Sequence, residues 1–178
     1  MQRKLLFNEK LLSITIHRLG QQLIETYSKF EDTLLIGMQP RGIYLAEALV
    51  DSLEEMTGIR PPLGRLDTTF HRDDFRRRET PAKPSSTDIP FLIEDKNVVL
   101  IDDVLFTGRT VRAAMDAMIT FGRPKKVELL VLVNRMYKRE LPIEPNYVGQ
   151  NVNTVETQKV LVELKAQGHK KDSIWLVT

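Results

Sequence analysis

The run NVVLID, Asn97 to Asp102, leads within six residues into TGRTVRAAMDAMITFG, Thr107 to Gly122, and this pairing limits the fold severely. Four consecutive apolar side chains without alternation suit a strand covered on both faces. The following segment repeats apolar residues at Val111, Ala114, Met115, Met118 and Ile119, a helical face, and Gly122 and Pro124 supply stop signals. The same order occurs earlier, where TLLIG (33–37) precedes RGIYLAEALVDSLEEMTG (41–58), and KVELLVLVN (126–134) gives a third apolar run. Strands alternating with helices predict an α/β fold with a mainly parallel central sheet flanked by helices. A first helix is predicted from Asn8, a capping residue, through Leu11, Leu12, Ile14, Ile16, Leu19, Leu23, Ile24 and Tyr27. PLGRLDTTF, NYVGQNV, KVLVEL and SIWLVT read as further, shorter strands. A chain of 178 residues suits one domain, 1–178, with a single core.

In parallel sheets ligands sit beyond the carboxyl ends of the strands. Gly37 and Asp102 occupy such ends, so chemistry is sought there. Other classes fall away on composition. With no cysteine there are no disulfides, thiolate metal sites or cysteine nucleophiles. His17, His71 and His169 lack the spacing of zinc ligands. A formal charge of +2 is too small to announce nucleic-acid binding by itself. No apolar run approaches membrane-spanning length and no secretory signal is evident, so the expected location is the cytoplasm, with no membrane partner. RDDFRRRETPAKPSSTD, 72–88, concentrates charge, proline and serine and reads as a long loop.

Asp102 and Asp103 end an apolar strand, where paired carboxylates are costly unless solvated, paired or offered to a ligand. The next residues open a helix, whose unpaired amides and positive dipole end attract an anion. Gly108 permits close backbone approach, Thr107 and Thr110 add hydroxyls, and Arg109 adds a cation in the same turn. Such a turn suits a sugar phosphate, amides toward the phosphate and acids toward the sugar hydroxyls or a divalent ion held through water. A phosphoacceptor receiver domain also pairs acids at strand ends, but there the pair lies near the N-terminus, whereas here it lies mid-chain and runs into T-G-R-T.

The stretch VVLIDDVLFTGRT, Val98 to Thr110, resembles the 5-phosphoribosyl-1-diphosphate (PRPP) signature of type I phosphoribosyltransferases. Resemblance to the PyrR family, pyrimidine operon regulators with uracil phosphoribosyltransferase activity, extends over nearly the whole chain. It is carried by RGIYLA (41–46), RDD (72–74), DIP (88–90), DDVLFTGRTVRAAMDA (102–117), GRP (122–124), RELPI (139–143) and YVG (147–149), in that order.

The resemblance implies the type I fold, with a small hood and a mobile lid loop at about 69–88. It implies that Thr107, Gly108, Arg109 and Thr110 bind the ribose 5-phosphate, and that Asp102 and Asp103 act at the ribose hydroxyls and hold Mg²⁺, mainly through water. Gln39, Pro40, Arg41 and Gly42 match the family's diphosphate loop, where a cis peptide is common and Gln39–Pro40 is the candidate. Arg72 is favoured over Arg76, Arg77 and Arg78 as the lid cation that meets diphosphate. Phe106 stands where purine-using relatives carry a carboxylate, and Asn134 where hypoxanthine-type members place a lysine, so uracil is favoured over purines. Phe106, Tyr147 and Val148 are the implied base-binding residues. Implied partners are PRPP, uracil, UMP, a second copy of the chain in a homodimer or higher oligomer, and leader RNA through Arg18 and Arg139. The RNA surface is thin, since Gln21, Thr26, Glu144 and Gln150 occupy places that regulators tend to fill with basic or histidine side chains, and NRMYKRELP is one residue longer than the family's usual form. The alternatives are an RNA-binding attenuator with little enzymatic activity, or a purine phosphoribosyltransferase.

Overall fold

A computed structural model describes residues 2–73, 85–155 and 157–178. Five strands form a wholly parallel sheet in the order β3-β2-β4-β5-β6: β2 Thr33–Met38, β3 Leu63–Leu66, β4 Asn97–Leu105, β5 Lys126–Met136 and β6 Tyr147–Asn153. Helices α1 (Glu9–Tyr27) and α2 (Gly42–Thr57) cover one face, burying Leu19, Leu23, Leu45, Leu49 and Leu53 against Val99, Ile101 and Leu130. Helix α3 (Arg109–Met118) covers the other, placing Val111, Ala114, Ala117 and Met118 against Val98, Leu100 and Val131. Odd and even residues of β4 therefore serve different layers, which is why the VVLI run shows no polar alternation.

Helix ends follow local chemistry. Asn8 Oδ1 accepts from the Leu11 amide at 2.8 Å, and α2 closes on Gly58 in the left-handed conformation (φ 73°), its amide donating to Glu54 O. Two expectations need correction. Leu11 and Ile14, which belong to the helical apolar series, are 43% and 54% exposed, because the buried stripe of α1 runs through Leu12, Thr15, Leu19 and Leu23. Ile119, placed on the apolar face of α3, is 66% exposed, because the helix tightens into a 3-10 turn at Ile119–Phe121 and swings the side chain outward.

The N-terminus brings a strand that the helical reading missed. β1 (Arg3–Phe7) pairs antiparallel with β8 (Ser173–Val177), which pairs with β7 (Lys159–Glu163). This three-stranded sheet is the expected hood. Its Phe7, Val162 and Ile174 are continuous with the core beneath α1. PLGRLDTTF contributes only Leu63–Leu66 to the main sheet, and Thr69–His71 forms a 3-10 turn.

Candidate active site

The acidic pair lies inside β4, which continues to Leu105 rather than ending at Asp102, because pairing to β5 persists through Leu105↔Asn134. Asp102 Oδ1 accepts from the Asp103 amide at 2.9 Å, and Asp103 Oδ1 from the Val104 amide at 2.8 Å. Asp103 is only 2% exposed. Its Oδ2 lies 3.1 Å from Arg41 Nε, an ion-pair distance, yet no hydrogen bond is aimed at that buried oxygen. A buried carboxylate oxygen without a directed donor is costly, and a ligand hydroxyl or cation would relieve it. Burial, and then the charge of Asp103, pushes the Asp102 carboxyl well above the usual carboxylate range, with the Arg41 guanidinium working against the rise.

The loop leaving β2 presses on this pair. A Cβ added to Gly42 would stand 2.4 Å from Ile101 O and 2.9 Å from Asp102 Cα, so only glycine lets the start of α2 lie against β4. The Gln39–Pro40 peptide is cis, as expected. The Gln39 amide donates to Leu66 O (2.8 Å) and its Nε2 to Ser86 O (3.1 Å), which ties the loop to both flanks of the 69–88 segment.

After β4 the chain turns at Phe106–Gly108 into α3. Gly108 takes φ 92°, a conformation that strains side-chain-bearing residues. The Thr107 hydroxyl accepts from the Arg109 amide at 3.3 Å. The Thr110 hydroxyl accepts from an Arg72 terminal nitrogen at 2.9 Å, which brings the favoured lid arginine to the turn. Arg76, Arg77 and Arg78 lie outside the described residues. The Arg109 guanidinium is held by two carboxylates, its Nε donating to Glu140 (2.6 Å) and a terminal nitrogen to Asp73.

On the far side of β4, Asp102 is level with Val131 of β5, which is level with Val148 of β6. At the usual strand spacing Val148 is roughly 9.5 Å from Asp102 along the sheet. Tyr147, one residue earlier, faces the opposite layer. Its hydroxyl donates to Glu128 (2.8 Å) and approaches Thr26 Oγ1 (3.3 Å) under α1, and burial raises its pKa. The ring is therefore a core tyrosine, which corrects its assignment to the base. Glu128 also accepts from Tyr27 and pairs with Lys126; burial favours its neutral form, but these donors outweigh burial and hold the carboxyl below its usual range. Phe106 stays beside the turn with one ring face covered by the Arg135 guanidinium, 3.8 Å from the ring centroid.

Arg18 and Arg139 also differ from expectation. Arg18 donates to Gly149 O (2.7 Å) and Val148 O (3.3 Å), closing the outer edge of β6. Arg139 donates to Phe106 O and to Asn134 Oδ1 (2.5 Å), and Asn134 Nδ2 donates to Asn151 Oδ1 (2.9 Å). Arg139 is half-buried and serves oxygens beside the turn, whereas Arg18 is exposed and its bonds to the β6 carbonyls lie at the surface.

Residues 3–167 match the model of the phosphoribosyl transferase domain. The chain is 43% identical over 165 residues to the bifunctional protein pyrR of Enterococcus faecalis, covering 93% of this chain and 92% of that protein. The chain belongs to the PyrR family of phosphoribosyltransferases. It is also 39% identical to the bifunctional protein PyrR of Bacillus subtilis over 165 residues, covering 92% of this chain and 91% of that one. Among solved structures it resembles a hypoxanthine-guanine phosphoribosyltransferase of Bacillus anthracis (TM-score 0.73, 16% identity, all of both chains). The hypoxanthine phosphoribosyltransferase of Trypanosoma cruzi is similar in the same degree (TM-score 0.74, 16% identity, 97% of this chain and 95% of that one). At that identity the likeness is one of fold, the type I phosphoribosyltransferase fold.

Three residues of this PyrR-family site escaped the sequence reading. Asp67 follows β3, and its carboxylate accepts from the Thr69 amide (3.0 Å), the Thr69 hydroxyl (2.6 Å) and the Ser85 amide (2.9 Å), joining the two ends of the charged loop. The D-T-T triplet is an Asx-turn signal that exposes the first half of this role in the sequence. Arg135 is buried, with Nε donating to Thr154 Oγ1 and a terminal nitrogen to Gln158 O, contacts across nineteen and twenty-three residues that no local pattern announces. Glu140 was read only as part of RELPI. Among the described residues no group of three His, Asp or Glu is arranged to hold a metal ion, and no helix is long and apolar enough to cross a membrane.

Proposed function

We propose that this PyrR-family chain transfers ribose 5-phosphate from PRPP to N1 of uracil, forming UMP and diphosphate. One observation carries the reading: the diphosphate loop at the exit of β2 and Val148 on β6 lie on opposite sides of Asp102 and Asp103 in the strand order β2-β4-β5-β6. Displacement at C1 of the ribose needs its incoming and leaving groups on opposite sides of the sugar. In this arrangement the C1–O bond to diphosphate breaks toward Gln39–Gly42, and the C1–N1 bond forms on the side of β5 and β6.

The acids accept hydrogen bonds from the ribose hydroxyls and face the positive charge that develops on the sugar. The helix N-terminus at Thr107–Thr110 takes the 5-phosphate, with Arg72 at its rim. Phe106 cannot accept the N1 proton, so that proton leaves to solvent or to the departing diphosphate. A phenyl ring in place of a carboxylate beside the base supports uracil over a purine.

Mg²⁺ suits the donor set. The undirected Oδ2 of Asp103 and the adjacent Asp102 offer hard oxygen ligands, and two carboxylates match an ion that takes the rest of its shell from water and substrate oxygens. Bound there, it would neutralise charge on the diphosphate leaving group.

The test is formation of UMP from uracil and PRPP with Mg²⁺, beside thermal stabilisation by PRPP, UMP, GMP and IMP in turn. Turnover with uracil and stabilisation by UMP above GMP and IMP is expected. Asp103→Asn should lower kcat by about 10²-fold or more; unimpaired turnover in that variant would remove the acids from the reaction. The relatives' bifunctional naming supports a second, regulatory role in RNA binding, and UMP-dependent retention of a pyrimidine leader RNA in filter binding tests it. Because Arg18 already holds the carbonyls of Val148 and Gly149, Arg18→Ala is expected to leave any such retention unchanged.

A further inference from the structure

We infer that Arg139, with the backbone of Glu140 and Leu141, is a positioning clamp that sets the direction of the amides receiving the 5-phosphate. This rests on the proposed assignment of ribose 5-phosphate to Thr107–Thr110. Across a trans peptide the C=O and the following N–H point in opposite directions. Arg139 binds the carbonyl of Phe106, so the N–H of Thr107 points away from Arg139. The amides of Glu140 and Leu141 donate to the carbonyl of Thr107 at 3.0 and 3.3 Å, so the N–H of Gly108 also points away from that segment. Both N–H groups are thereby aimed from outside, by groups that do not touch the phosphate.

Three more contacts brace the clamp. The Glu140 carboxylate takes Arg109 Nε at 2.6 Å, which ties the clamp segment to the first residue of α3. Leu141 and Ile143 close on Gly108, where an added Cβ would stand 3.5 and 3.3 Å from their nearest atoms. The Asn134 carboxamide, itself fixed by Asn151, holds the other arm of the Arg139 guanidinium. A guanidinium can serve Phe106 O and Asn134 Oδ1 together because it presents several donors in one rigid plane.

The experiment titrates the full chain with ribose 5-phosphate and, separately, with inorganic diphosphate plus Mg²⁺, following heat. Arg139→Met is expected to weaken ribose 5-phosphate by about tenfold or more while diphosphate, bound at Gln39–Gly42, is unchanged. Asn134→Ala, which removes one brace and spares the bond to the Phe106 carbonyl, is expected to weaken ribose 5-phosphate less than Arg139→Met does. Arg139→Gln, with one donor retained, replaces Arg139→Met if that variant does not fold, and a smaller loss in the same direction is expected. Wild-type affinity in the Arg139 variants, equal weakening of both ligands, or an equal loss in Asn134→Ala overturns the clamp. If the wild-type chain itself binds no ribose 5-phosphate, the functional reading falls and the clamp with it.

Discussion

Replacing Gly42 by alanine tests the contact on which the geometry of the site turns. The new methyl carbon would lie 2.4 Å from Ile101 O and 2.9 Å from Asp102 Cα, both backbone atoms in the middle of a parallel sheet. Neither can rotate aside. Restoring ordinary contact requires the start of α2 to retreat from β4 by about 1 Å, and overpacking of this kind costs about 1–3 kcal/mol. For a domain of this size each kcal/mol shifts Tm by about 2–4 °C, so a fall of roughly 2–12 °C is expected. The larger effect is expected on chemistry, because a 1 Å misplacement of the Gln39–Gly42 loop relative to Asp102 and Asp103 costs about 10²-fold in turnover if both act on one substrate as proposed. Gly58→Ala is the matched control. It forces an alanine into φ 73° with no atom within 4 Å, so it costs about 1–2 kcal/mol of backbone strain far from the site and leaves kcat/KM unchanged. UMP formation and thermal melts on both variants decide the matter. Gly42→Ala with a kcat/KM equal to that of wild type and of Gly58→Ala would refute the reasoning.

The remaining predictions concern single carboxyl and hydroxyl groups. Because burial raises the folded-state pKa of Asp102, the folded protein binds a proton there that the unfolded chain has already released, so stability from this group falls as pH rises above about 4. Asp102→Asn should therefore gain in Tm over wild type as pH increases from 4 toward neutrality, and a difference independent of pH would contradict the assignment. Tyr147→Phe removes a donor from the Glu128 carboxylate and should lower unfolding stability by about 1–3 kcal/mol in urea titrations. The same variant should keep its KM for uracil; a large rise in that KM would restore the tyrosine ring to the base site.

The parts of this molecule legible in the sequence are those governed by short-range rules. The apolar runs of β2, β4 and β5, the Asn8 cap, the Gly58 stop and the acid-to-helix turn each occupy a continuous stretch, and local preference agrees with tertiary packing. What was hidden depends on pairing across distance. β1 is half polar, RKLLF, and becomes a strand because β8 supplies its hydrogen bonds from the other end of the chain. Tyr147 and Val148 are neighbours whose side chains serve opposite layers, a distinction fixed by strand register alone. Arg18 stays at the surface, as its charge suggests, yet holds a backbone carbonyl 131 residues away, and half-buried Arg139 holds one 33 residues away.

The level alignment of Asp102, Val131 and Val148 also bears on how such a protein can change. The separation between the acids and the far strand is an interval of the sheet's own repeat, set by peptide hydrogen bonds and not by any side chain. Loops at the strand exits can lengthen, shorten or exchange residues without altering that ruler. A lineage is thus free to change the side chains at the β6 end while the end at Asp102 and Asp103 keeps its measure.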